Sequence, residues 1–195
     1  LFRSDIVSAV TLDGDVTLNG DLLTGTGTNK TQPIAVLIPG HNFVARASAG
    51  ATLGTYSFTS EGFSVPSLQF PASSNYYSGG LFPLPEDYAG QQLMAKVYWT
   101  SDSGTINDVV SFGFYTRQYS DSESTDTAVG WTGDVSNDFF SIADYLHIVD
   151  IGPVTPVSVA SGGDLIGFKF YRRGADAADT FTATVHVLAI KIYYA

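Results

Sequence analysis

The sequence predicts an all-β protein: a jelly-roll or β-sandwich domain preceded by a short β-repeat neck. Three observations predict this class. Apolar residues alternate or run together in short segments rich in β-branched and aromatic residues, such as QLMAKVYWT (Gln92 to Thr100) and VVSFGFYTRQY (Val109 to Tyr119). Clusters of Ser, Gly, Asn and Asp separate them, among them TSDSGTIND and RRGADAAD. No long segment carries helical periodicity and no blade-length repeat is present, which leaves a sandwich or jelly roll.

The elements follow in chain order. From Val10 to Gly25 the chain reads VTLDGD, VTLNGD, LLTG, with Val10, Val16 and Leu22 in phase. Each V-T-L is a short strand that places Val and Leu on one face, and D-G-D or N-G-D supplies the tight reversal. Two rungs do not bury their own apolar face, because stacked repeats need partners. Val10, Leu12, Val16, Leu18 and Leu22 are therefore expected to form an oligomer neck. The four Asx side chains Asp13, Asp15, Asn19 and Asp21 do not follow a calcium loop, since the sixth position from Asp13 is Leu18 rather than Gly. TGTGTNKTQP then reads as a flexible hinge, dividing the chain into an attachment segment, 1–32, and a sandwich domain, 33–195.

Within that domain IAVLIP (Ile34 to Pro39) opens the strands, and SSNYYSGG reads as a surface loop. LPEDYAGQQL (Leu84 to Leu93) reads as one short helical turn, and FFSIADYLHIV fits either a helical face or a strand. DLIGFKFYRR is expected to pair as a hairpin with the stretch from Thr180 to Tyr194. That last stretch slips in phase: Phe181, Ala183, Val185 and Val187 share one face, Leu188, Ile190 and Ile192 the other. A bulge produces such a slip, and so does burial on both faces. The second is preferred, because 13 Phe and 11 Tyr exceed what one small core readily hides.

Composition narrows the function. Charged residues are 14% and hydrophobic residues 44%, which excludes a disordered chain. The net charge of −10 argues against nucleic acid as a partner. No apolar run approaches a membrane span of roughly 18 residues. The absence of cysteine removes disulfides, thiolate metal sites and a Cys nucleophile together. The opening LFRSDIVSAV, with neither initiator Met nor cleavable signal, is expected of a fragment or processed chain.

No enzyme is predicted, and neither cofactor nor metal. G-x-S-x-G, H-E-x-x-H and a phosphate loop are all missing. His41, His147 and His186 lack metal-ligand spacing, and most of the 19 acidic residues sit in turns. The binding candidates are aromatics among small polar residues: Asn75, Tyr76 and Tyr77 in SSNYYSGG, and Trp131 in AVGWTGD. Trp99, beside TSDSG, has a similar setting. Packing of the Trp rings in the core, and of the Tyr pair on a neighbouring subunit, is the competing reading.

The short V-T-L-x-G-D rungs ahead of a β domain resemble the necks of tailed-bacteriophage fibre and spike proteins. FPLPEDYAGQQLMAKVYWTSDSG and the closing DLIGFKFYRRGADAADTFTATVHVLAIKIYY resemble β modules of phage virion proteins. The resemblance implies a homotrimeric jelly-roll module on a virion surface, bound to other virion proteins through its N-terminal segment. It implies one of two roles. The module is a fibre tip that attaches to a host-surface glycan or protein, or it is a decoration protein that stabilises the head. A non-viral adhesin or extracellular filament subunit is the weaker alternative.

Overall fold

A computed structural model describes residues 36–45, 49–85, 88–123, 130–156 and 162–194. The neck residues Val10, Leu12, Val16, Leu18 and Leu22, the Asx cluster and the hinge lie outside them.

The described residues form eleven strands and a single 3-10 turn, Gly40–Asn42, with no α-helix. One sheet contains β1 (Val36–Pro39), β3 (Thr52–Phe58), β4 (Phe63–Phe70), β6 (Leu93–Thr100), β9 (His147–Val154) and β11 (Val185–Tyr194), in the order β3-β4-β11-β6-β9 with β1 also on β11. The other contains β2 (Val44–Ala45), β5 (Asn75–Pro83), β7 (Val109–Tyr119), β8 (Thr132–Phe139) and β10 (Leu165–Arg173), in the order β2-β5-β10-β7-β8. All strand pairs are antiparallel. The two sheets pack face to face, so the protein is the all-β sandwich that the alternation predicts.

The core is aromatic. Trp99 of β6 meets Phe112 of β7 at 6.0 Å, and Phe70 of β4 meets Phe170 of β10 edge-on at 5.4 Å. Nine of the 13 phenylalanines are buried within this one chain, from Phe43 to Phe181. Most of the phenylalanine content is thus accounted for without a partner subunit.

Three local expectations change. β10 does not pair with β11: it lies between β5 and β7, while β11 lies in the opposite sheet between β4 or β1 and β6. The connection from Gly174 to Thr184 crosses the sandwich instead of turning back. The phase slip in β11 is a bulge, with the register against β6 shifting between Val187 and Ala189. The extra residue brings Ile190 and Ile192 back to the core side with Val185 and Val187, and all four are buried. FFSIADYLHIV is strand, turn, strand, with Phe140 buried at the bend and β9 beginning at His147. At LPEDYAGQQL the Tyr88 N–H donates to the Pro85 carbonyl at 3.1 Å; residues 86 and 87 are outside the description, and β6 begins at Leu93.

A buried ion pair sits inside the core. Arg172 on β10 is fully buried and donates from Nε and Nη2 to the two oxygens of Asp179, at 2.9 and 2.8 Å. Its Nη1 donates to the carbonyls of Phe70 and Ala183 at 3.1 and 2.7 Å, and Nη2 also reaches the Phe181 carbonyl. The cation thereby fastens the crossing connection to both sheets.

Candidate functional site

SSNYYSGG is not a loop: Asn75 onward forms β5. Alternation then splits the predicted pair. Tyr76 shares a side with buried Ser78 and Phe82 and packs against the core, whereas Tyr77 points outward. Trp99 is likewise a core residue, fully buried, stacked on His147 at 4.3 Å and donating from Nε1 to Asp138 at 2.8 Å.

The outward side of the five-stranded sheet can be read from its register. Opposite Tyr77 stands Tyr171 of β10, then Gly113 of β7 and Val135 of β8. The next row outward along the strands is Val44, Gly79, Lys169, Tyr115 and Gly133. The row after that holds Leu81, Gly167 and Arg117, and Trp131 immediately precedes β8 at its continuation. Leu165 and Tyr119 come next. Two predicted residues, Tyr77 and Trp131, therefore meet on one face, and three tyrosines join them.

Glycine lets these rings lie flat on the sheet. A Cβ at Gly113 would stand 2.5 Å from Tyr171 Cζ and 2.8 Å from its hydroxyl oxygen. One at Gly133 would stand 2.5 Å from Tyr115 Cδ1, and one at Gly167 would stand 2.8 Å from Tyr119 Cε2. Each ring thus occupies the space that a neighbouring strand's side chain would otherwise fill. Tyr171 stacks on Tyr77 at 4.8 Å with planes 25° apart, and meets Tyr115 at 5.6 Å. Lys169 Nζ stands 3.7 Å over the Trp131 ring, and the Arg117 guanidinium 4.5 Å over Tyr119. The result is a ring surface four strands wide, roughly 14 Å across.

One end of the face is closed. The Asn75 side-chain oxygen accepts the Ala175 N–H at 3.2 Å, and Arg173 is paired with Asp176. Asn75 therefore anchors the β10–β11 connection in this structure. On the opposite sheet, Tyr56, Phe58, Glu61 and Asp144 line a smaller cleft in which the Tyr56 hydroxyl donates to Asp144 at 2.5 Å. No group of three or more His, Asp or Glu able to hold a metal ion occurs among the described residues.

No family model matches the chain, and no curated protein matches it. Solved structures do. The xylan-binding domain CBM22-2 of Paenibacillus barcinonensis Xyn10C is similar at 15% identity and a TM-score of 0.47, over 82% of this chain and 99% of that one. The family 11 carbohydrate-binding module of Lic26A-Cel5E from Clostridium thermocellum gives 13% and 0.42, over 83% and 95%. The C-terminal CBM6 of LamC from Zobellia galactanivorans gives 12% and 0.39, over 82% and 99%.

Burial, and then the hydrogen bond with Tyr115, push the Tyr171 phenol above the ordinary tyrosine value of 10.0. A raised acid is held protonated by the fold. Its contribution to stability is complete below pH 10 and is lost as the pH climbs past that value. An alkaline absorbance titration of the folded protein should therefore show a tyrosine step above pH 10 that Tyr171→Phe removes. A titration unchanged by that substitution would contradict the assignment.

Proposed function

We propose that the sandwich domain is a glycan-binding attachment module of a virion surface protein, with no catalytic role, and that the outward face of the five-stranded sheet is its binding surface. One observation carries the reading: Tyr77, Tyr171 and Tyr115 form a continuous ring surface, built over glycines where side chains would have covered it, with Trp131 beside it beneath Lys169. Sugar rings present flat C–H faces edged by hydroxyls. Flat aromatics on a rigid sheet, bordered by donors such as Lys169 and the tyrosine hydroxyls, match both halves of that chemistry. Placement on strands rather than loops keeps the surface organised before the ligand arrives.

The phage assignment is supported by the neck rungs and by the two stretches that resemble virion β modules. It makes the ligand a host-surface polysaccharide and the location the outside of the particle. Assembly as a homotrimer, with the N-terminal segment on other virion proteins, belongs to the same proposal. The decoration reading is favoured by a different feature, the exposed Phe139, Ile142, Leu146 and Ile148 at 62, 48, 56 and 49% exposure, which suit a contact with neighbouring subunits.

The test is binding of the full chain to immobilised bacterial surface polysaccharides. Tyr171→Ala should weaken binding roughly tenfold, the effect of one lost ring contact, with melting temperature nearly unchanged. Equal binding by the variant, or no polysaccharide bound at all, would refute the proposal.

A further inference from the structure

The ring face holds a second apolar cluster, apart from the Tyr77–Tyr171–Tyr115 row. A Cβ at Gly167 of β10 would stand 2.8 Å from Tyr119 Cε2 and 3.5 Å from both Leu81 Cδ2 and Trp131 Cη2. Side chains from β5, from β7 and from the residue before β8 thus converge over one glycine of β10. Leu81 is 62% exposed at the rim of this cluster. The buried Arg117 guanidinium stands 4.5 Å from the Tyr119 ring, and Lys169 Nζ 3.7 Å from that of Trp131. Both cations are engaged within the fold and fix the two rings in place.

Spacing relates the two clusters. Gly167 lies four residues from Tyr171 on β10, about 13 Å along the strand. A pyranose unit advances a glycan by about one strand spacing, so the clusters stand about three sugar steps apart. In the other direction the face is closed two residues beyond Tyr171, about 7 Å away, where Arg173 pairs with Asp176. Ser111, on the same side of β7 as Gly113, is fully buried at that end. Between Tyr171 and the closed end there is room for one sugar.

We propose that this face takes the chain end of a linear glycan at least four sugars long, laid along β10. Its terminal sugar sits on Tyr171 and Tyr77 against the closed end, and its fourth sugar on Leu81, Tyr119 and Trp131. This rests on the glycan reading and adds which part of the polymer is read. A chain crossing the strands meets one cluster, whereas a chain along β10 meets both. Joining the two contacts in one ligand makes the second intramolecular, so affinity depends on chain length.

The experiment measures affinity of the full chain for linear xylo-, manno-, galacto- and cello-oligosaccharides of two to six sugars, and for their parent polymers at equal mass. Wild type is compared with Trp131→Ala, Trp131→Phe and Tyr171→Ala, and the melting temperature of each is recorded. Support has three parts, all within at least one series. Affinity rises about tenfold between two and four sugars and then levels off. That rise is absent in Trp131→Ala and kept in Trp131→Phe, while Tyr171→Ala loses binding at every length. Oligosaccharides bind better than the parent polymer at equal mass, because they carry more chain ends. Equal affinity for two and six sugars, lost in Tyr171→Ala, overturns the second cluster while the glycan reading stands. A polymer that matches its own hexasaccharide at equal mass overturns the chain-end placement, since internal stretches would then serve. Binding that survives Tyr171→Ala overturns both readings, because the sugar would then be held elsewhere. So would failure of all four series to bind.

Discussion

Arg172→Met should be among the most damaging single substitutions in the domain, lowering stability by about 3–5 kcal/mol, the range for breaking a buried ion pair from one side. The Asp179 side chain is only 1% exposed, and it accepts both the guanidinium and the Ser111 N–H at 3.2 Å. Without Arg172 its charge stays buried, and the carbonyls of Phe70, Phe181 and Ala183 lose their donor together. Adding Asp179→Leu should recover only part of the loss, because those carbonyls remain unsatisfied. Lys96→Met is the control: its partner Asp150 is at 3.0 Å, but the side chains are 30 and 42% exposed, so the cost should stay within about 1 kcal/mol. Urea titration at neutral pH distinguishes the two sites. A cost below about 1 kcal/mol for Arg172→Met would show that the pair does not hold the connection.

Gly113→Ala should do the reverse, leaving the fold almost intact while abolishing most of the glycan affinity. The nearest atoms to the added methyl belong to the Tyr171 ring, at the far end of a side chain that can swing away. A surface change of this kind costs within about 0.5 kcal/mol. The displaced ring, however, gives up its stack on Tyr77 and its contact with Tyr115 at once. Affinity should fall by at least the roughly tenfold expected of a lost ring contact. Calorimetric titration with the polysaccharide identified for wild type measures this, and undiminished affinity would remove the ring surface from the site.

The fold class was legible because alternation survives in nearly every strand, but strand partners were not. DLIGFKFYRR and TFTATVHVLAIKIYY are consecutive and both β, and periodicity alone favours a hairpin between them. They lie in opposite sheets, and the pair between Arg172 of β10 and Asp179 of the connection fastens the crossing between them, which no hydrophobic pattern reveals. The β11 slip was visible, yet a bulge and double burial write the same pattern until the register is known. At the site, Tyr77 and Trp131 stood out because their neighbours are small and polar. Tyr115, Tyr119, Tyr171, Lys169 and Arg117 did not, since in VVSFGFYTRQY and DLIGFKFYRR large residues occupy both phases and read as a strand buried on both sides. The usable signal was glycine inside strong strands, at Gly113 and Gly167, marking where something must lie close against the backbone.

The pairing of β1 with β11 carries one more consequence. Val36 stands opposite Ile192, so the first and last described strands run side by side, and both belong to the sheet facing away from the rings. The domain is rooted like a leaf on a double stem. The described strands thus begin and end at neighbouring points of one sheet, the close spacing of ends that lets a β domain tolerate insertion.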